Sequence, residues 1–176
     1  MKACRLTSDT YYGRMKRPFA YLACAIVLVV NTLPAFAELP VDPQPLCVVT
    51  SSGAHLFNVE IARSQAEKAT GLMFRQALAD DHGMLFIYNK PRQVAMWMKN
   101  TFIALDLVFI RQKGVVSNIV YDAQPHDLTP RPSTGRVSYV LELASGVAHK
   151  INLKAGDAVY HPALTAQEEM PDVCRN

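Results

Sequence analysis

Gly83-Met84-Leu85-Phe86-Ile87-Tyr88, a polar break, and then Val94 to Ile110 form the stretch on which the reading of this chain turns. The first run is apolar at every side-chain position: Met84, Phe86 and Tyr88 alternate with Leu85 and Ile87. A strand of that kind is covered on both faces, so it belongs at the centre of a sheet. The second part holds the only Trp, Trp97. Val94–Asn100 and Leu105–Ile110 both have strand character, and a hairpin turning at Thr101–Ala104 would place Asn100 opposite Leu105 and Lys99 opposite Asp106. Cross-strand partners share a face. Trp97, Lys99, Asp106 and Val108 then line one side, and Met96, Met98, Leu105, Leu107 and Phe109 the other.

The sequence on either side continues the strand pattern. Leu46–Thr50 ends at the turn signal Ser51-Ser52-Gly53, and His55–Ala62 follows with Phe57, Val59 and Ile61 on one face. Ser64-Gln65-Ala66-Glu67 is a capping box, which predicts a short helix from Gln65 to about Leu72. Beyond Ile110, strands are expected at Val115–Tyr121, Val137–Leu143 and Ala158–His161, and a short helix at Gly146–Leu153. Pro125–Gly135 is a long irregular loop. About eight short strands joined mainly by turns point to one compact antiparallel β-sandwich or barrel-like domain with one or two short helices, and argue against a βαβ layout.

The first 37 residues read as a secretory signal peptide. Lys2, Arg5, Arg14, Lys16 and Arg17 precede the apolar run Phe19–Leu33, and Ala35-Phe36-Ala37 is a small-x-small cleavage site. The run is shorter than the roughly 20 residues of a membrane span. Removing these 37 of 176 residues leaves 139, enough for one domain with a real core. It also removes five of the 18 Lys and Arg and one of the 15 Asp and Glu, so 13 basic and 14 acidic residues remain and the net charge is −1. That balance gives no basic face for nucleic acid. The expected layout is signal 1–37, Pro-rich tether 38–45, β-rich domain 46–164 and polar tail 165–176. An exported location, periplasmic or extracellular, follows, with no membrane attachment after cleavage. Cys47 and Cys174 survive cleavage, and in an oxidising compartment they form a candidate disulfide.

Asp106 stands out as a charge inside an apolar strand. A buried carboxylate requires a charged or hydrogen-bonding partner, and the hairpin register nominates Lys99, with Arg75 as a second choice. Either the pair simply sets register beside a core Trp, or Trp97 forms the flat wall of a pocket whose polar groups are Arg75, His82, Lys99, Asn100 and Asp106. Such a pocket suits a sugar, a peptide, a small carboxylate or another cell-envelope component. Two further readings are a hydrolase built on His82 and Asp106, and a copper-handling site using Met73, Met84, Met96, Met98 and His82. Neither carries a recognisable motif. No nucleophile elbow is present, the five His are scattered, and no zinc spacing occurs. No catalytic residue, metal site or cofactor is therefore assigned.

Several motifs then appear in order: Gly71-Leu72-Met73-Phe74-Arg75, Gly83-Met84-Leu85-Phe86, Trp97-Met98-Lys99-Asn100-Thr101 with Leu105-Asp106, and Tyr139-Val140-Leu141-Glu142-Leu143 followed by Gly146 and Gly156-Asp157. Together they resemble the uncharacterised family known as domain of unknown function 192, over about Leu56 to His161. Ala104 departs from the family, which usually has Pro before Leu-Asp. The resemblance implies a compact, mainly β, often exported domain, and brings no reaction or ligand with it.

Overall fold

A computed structural model describes residues 38–164 and 170–175. The signal-peptide reading and half of the polar tail fall outside these residues. Nine strands and two short α-helices follow one another among these residues, with a 3-10 turn at Asp172–Cys174 after them. They are β1 (Leu46–Thr50), β2 (Gly53–Ala62), α1 (Gln65–Thr70), β3 (His82–Arg92), β4 (Ala95–Met96), β5 (Leu105–Ile110), β6 (Val116–Ala123), β7 (Arg131–Pro132), β8 (Val137–Ala144), α2 (Val147–Lys150) and β9 (Ala158–Tyr160). No helix among the described residues is long and apolar enough to cross a membrane.

Seven strands form one sheet in the order β6-β5-β8-β3-β2-β1-β9, and β4 pairs separately with β7. The doubly apolar run Gly83–Tyr88 lies in β3, the middle strand, as its composition requires. The sheet curls into a half-barrel. Its far edges meet, because Val115 bridges Ala158, the Val116 amide donates to Asp157 and the Val159 amide donates to Gly114. All pairings in this sheet are antiparallel except β2 with β3, which run parallel through α1. The expectation of no βαβ unit is corrected by this one crossover. The capping box explains its position: the Ser64 hydroxyl accepts from the Glu67 amide, and the Glu67 carboxylate accepts from the Ser64 amide.

The alternation of side chains separates two cores. One contains Leu85, Val108, Ile110, Tyr139, Leu141 and Leu143 with residues of β1, β2 and β9, and α2 packs into it through Val147 and Ala148. The other, on the opposite face, contains Met84, Phe86, Met98, Leu105, Leu107, Phe109 and Val140. Met96 packs against this second core, so the five residues expected to share a face do so.

The hairpin that produced that expectation does not form. β5 is hydrogen-bonded along one edge to β6 and along the other to β8, which leaves no edge for 94–100. That segment instead pairs Ala95 with Pro132 and Met96 with Arg131, then leaves strand geometry. Asn100 has φ 53°, a left-handed conformation that Asn tolerates better than most residues.

The pairing of Lys99 with Asp106 is corrected in the same way. Asp106 lies fully buried on the α2 side of the sheet, and Lys99 is exposed. One Asp106 oxygen accepts the Asp122 amide at 2.9 Å and the other the Ala148 amide at 2.9 Å. Backbone donors, not a cation, hold this carboxylate, and they tie β6 and α2 to β5.

Cys47 in β1 and Cys174 are joined by a disulfide with Cα atoms 5.8 Å apart. It returns the C-terminal residues to the sheet across 127 positions of sequence. The proline-rich 38–45 segment is also laid on the domain: Val41 bridges Glu60, and Glu38 pairs with Arg75 at 3.4 Å.

Two outcomes follow for stability. Asp106→Asn leaves one backbone amide without its acceptor, and chemical denaturation should show a loss of about 2 kcal/mol. Cys174→Ser releases a very long loop, and the same measurement under non-reducing conditions should show a loss of up to about 4–5 kcal/mol.

Candidate functional site

α1 ends at Gly71, which has φ 50° and ψ −136°, a combination open to glycine and strained for other residues. The turn brings residues 70–73 over the end of β3 and over the irregular segment 94–101. Between them lies a half-open pocket of about 200 Å³. Phe86, Tyr88, Met73, Met96 and Trp97 form its walls, with Thr70 and Thr101 as small polar groups. Lys68 and Arg92 are its basic residues, and Glu142 is its only acidic one. A half-open site of this size suits a small molecule.

Glu142 gives the site its character. It sits in mid-β8 between Met84 of β3 and Leu107 of β5, facing the second core. The residue is only 4 % exposed; its carboxyl has no hydrogen bond or ion pair to the described residues, and its oxygens are not fully enclosed but open onto the pocket. Burial alone pushes its pKa up to about 8, so the side chain is mainly a neutral acid at pH 7. Gly71 keeps it reachable. A methyl group on Gly71 would stand 3.1 Å from the Phe86 ring and 4.0 Å from a Glu142 carboxyl oxygen.

Tyr88 stands near Glu142 at the base of the cationic side. Lys68 Nζ lies 5.6 Å and the Arg92 guanidinium 5.8 Å from its ring centroid, within cation–π range. Burial, with the nearby Glu142, raises the Tyr88 phenol to about 12. Its hydroxyl points to Met96 Sδ at 3.9 Å. Lys68 Nζ donates to the carbonyls of Arg63 and Ile87, which fixes α1 against β3. Arg92 has no carboxylate partner among the described residues.

Of the residues nominated from sequence, Trp97 lines this pocket and is 53 % exposed. Lys99 reaches over the Trp97 ring from outside, 5.6 Å from its centroid. Asn100 is next to the site: its carbonyl accepts the Phe74 amide and its side chain approaches Met73 Sδ at 3.9 Å. Arg75 is bound to buried Glu60 at 2.6 Å and lines an adjoining pocket with Glu38 and Met84. His82 pairs with Asp81 at 2.8 Å at the start of β3, away from the pocket lining.

The nominated polar groups therefore do not converge. Asp106 is aligned with Leu143, which is aligned with Gly83. His82, one residue before Gly83, points to the other face of the sheet. The hydrolase reading built on His82 and Asp106 fails on this geometry. The copper set is dispersed too: Met73 and Met96 reach the pocket, Met98 is buried in the core, and Met84 faces the adjoining pocket. Glu142 was missed, although the signal that drew attention to Asp106, a lone charge in an apolar strand, is equally present in Val140-Leu141-Glu142-Leu143.

Comparison with known proteins identifies the family. Residues 47–161 match the DUF192 family, described as an uncharacterized ACR, and the chain belongs to it. A solved protein of unknown function from Novosphingobium aromaticivorans DSM 12444 is 41% identical, with a TM-score of 0.66 over 72% of this chain and 94% of that one. A second, from Sinorhizobium meliloti 1021 and carrying the description "putative transcription regulator", is 37% identical, with a TM-score of 0.67 over 70% of this chain and 97% of that one. No curated protein matches.

The raised Glu142 pKa predicts the sign of a pH effect. A carboxyl that binds its proton more tightly when folded contributes fully below its unfolded pKa, near 4.5. That contribution is lost as pH rises to about 8. Denaturation at pH 5, 7 and 9 should show the native protein losing stability relative to Glu142→Gln, with a slope approaching about 1.4 kcal/mol per pH unit inside that window.

Proposed function

We propose that this domain is a small-ligand-binding module of the cell envelope, with the pocket between Gly71, Tyr88, Trp97 and Glu142 as its binding site. The observation that carries the reading is the Glu142 carboxyl, buried at the pocket and without a partner in the fold. A purely structural role leaves that residue unexplained. A Leu or Met of similar size would fill the same space beside Met84, Phe86 and Leu107 without the cost of desolvating a carboxyl. Binding sites commonly retain such groups at the expense of stability.

The remaining walls fit this role. Apolar and aromatic side chains surround a small number of polar groups, the usual composition of a small-molecule site. The exported location rests on the basic, apolar and small-x-small order of residues 1–37 and on the Cys47–Cys174 bridge, which suits an oxidising compartment. A nucleic-acid role finds no support in the charge of the chain after Ala37, which is −1.

A fragment library screened by amide-resolved NMR tests the reading. Hits should move the resonances of Gly71, Phe86 and the Trp97 indole. Glu142→Leu should abolish those shifts while raising stability at pH 7 by about 1–2 kcal/mol. A library that leaves the pocket resonances unmoved, or hits that survive in Glu142→Leu, would sink the proposal.

A further inference from the structure

We infer that the pocket takes a small organic anion, a carboxylate on an apolar body, held by a hydrogen bond from the Glu142 side chain and by the charges of Lys68 and Arg92. This rests on the binding role proposed above and goes further by naming the class of ligand.

The charges decide between ligand classes. Lys68 and Arg92 are the two cations of the lining, and Lys99 adds a third just outside, over Trp97. Glu67, the nearest acid on α1, is committed to the backbone amides of Arg63 and Ser64. A cationic ligand would enter against Lys68, Arg92 and Lys99. An anion meets two cations and a protonated acid, and an O–H donor to a carboxylate makes one of the stronger hydrogen bonds available. Arg92 is the natural clamp, because its fork of donors matches a carboxylate. Phe86, Met73, Met96 and Trp97 then cover the apolar part of the ligand.

Such binding is linked to the Glu142 proton. The groups facing that carboxyl are few. β3 contributes Tyr88 and, beyond it, Arg92, α1 contributes Lys68, and β2, on the far side of Met84, contributes Glu60 paired with Arg75. From β5, Leu105 and Leu107 are apolar, and the pocket residues of 94–101 do not titrate. Tyr88 keeps its proton to about 12. Between pH 7 and pH 9, Glu142 is thus the group whose ionisation changes in the pocket, and its ionised form repels an anion.

Trp97 is the only Trp of the chain and reports on the pocket directly. The full domain is titrated with benzoate, benzylamine and benzyl alcohol, which share a ring and differ in charge, while its emission is followed. Benzoate should bind saturably at pH 7 and about tenfold more weakly at pH 9, the change in the protonated fraction of a group with a pKa of about 8. Benzylamine at pH 7 should not bind. Glu142→Gln should keep benzoate affinity and lose the pH dependence. Arg92→Gln should weaken benzoate severalfold with an unchanged melting temperature. Tighter binding of benzylamine or benzyl alcohol than of benzoate overturns the anion assignment and leaves the pocket reading standing. The same holds if benzoate affinity is equal at the two pH values. Failure of all three compounds to bind overturns both.

Discussion

Strand β8 is hydrogen-bonded along both edges, to β3 and to β5, and both of its faces are covered. Everything else in the domain accommodates that arrangement. A strand in such a place sends alternate side chains into two separate cores, and any acid on it or beside it loses its water. Of the three buried carboxyls in the sheet, Glu60 on β2 is paired with Arg75, and the other two, Asp106 on β5 and Glu142 on β8, lie in this situation. They face opposite sides of the sheet, and the fold treats them in opposite ways.

Asp106 is answered in full. Its two oxygens take backbone amides from β6 and from α2, so the charge becomes a junction between three elements. Glu142 is answered by nothing within the fold among the described residues. Its surroundings on β3 and β5 are Met84 and Leu107, and its outlet is the pocket beneath Gly71. One buried acid serves architecture, and the other, opening onto the pocket, is the group on which the proposed binding role rests. The same physical cost, desolvation of a carboxyl, is offset inside the protein in the first case and left open in the second.

The site is assembled from pieces far apart in sequence. The capping box starts α1 where it can turn back at Gly71, and the parallel crossover from β2 to β3 carries that turn over the sheet. The separate β4–β7 ladder holds the Trp97 segment on the other side. Glu142 arrives from β8, over 40 residues further along the chain than Trp97. A pocket of this kind depends on the crossover, on the small ladder and on the place of β8 in the sheet order.

Local pattern alone determined the strands β1 and β5 to the residue, the capped helix α1 and the central rank of β3, and it offered Cys47 and Cys174 as a candidate pair that the fold joins. These follow from side-chain period, turn chemistry and cysteine count, all of which act over a few residues or by elimination. It also indicated that Asp106 needed a partner, and it left open whether Trp97 is a core residue or the wall of a pocket. Tertiary structure decided who the partners are. A strand has two edges, and β5 gives both to β6 and β8, so Lys99 never meets Asp106. Backbone amides of Asp122 and Ala148 carry no signature in the sequence, because every residue but proline has one. Glu142 reads in the chain as one acid in an apolar strand. Only the packing of Gly71 and Phe86 above it makes it the group on which ligand binding would turn.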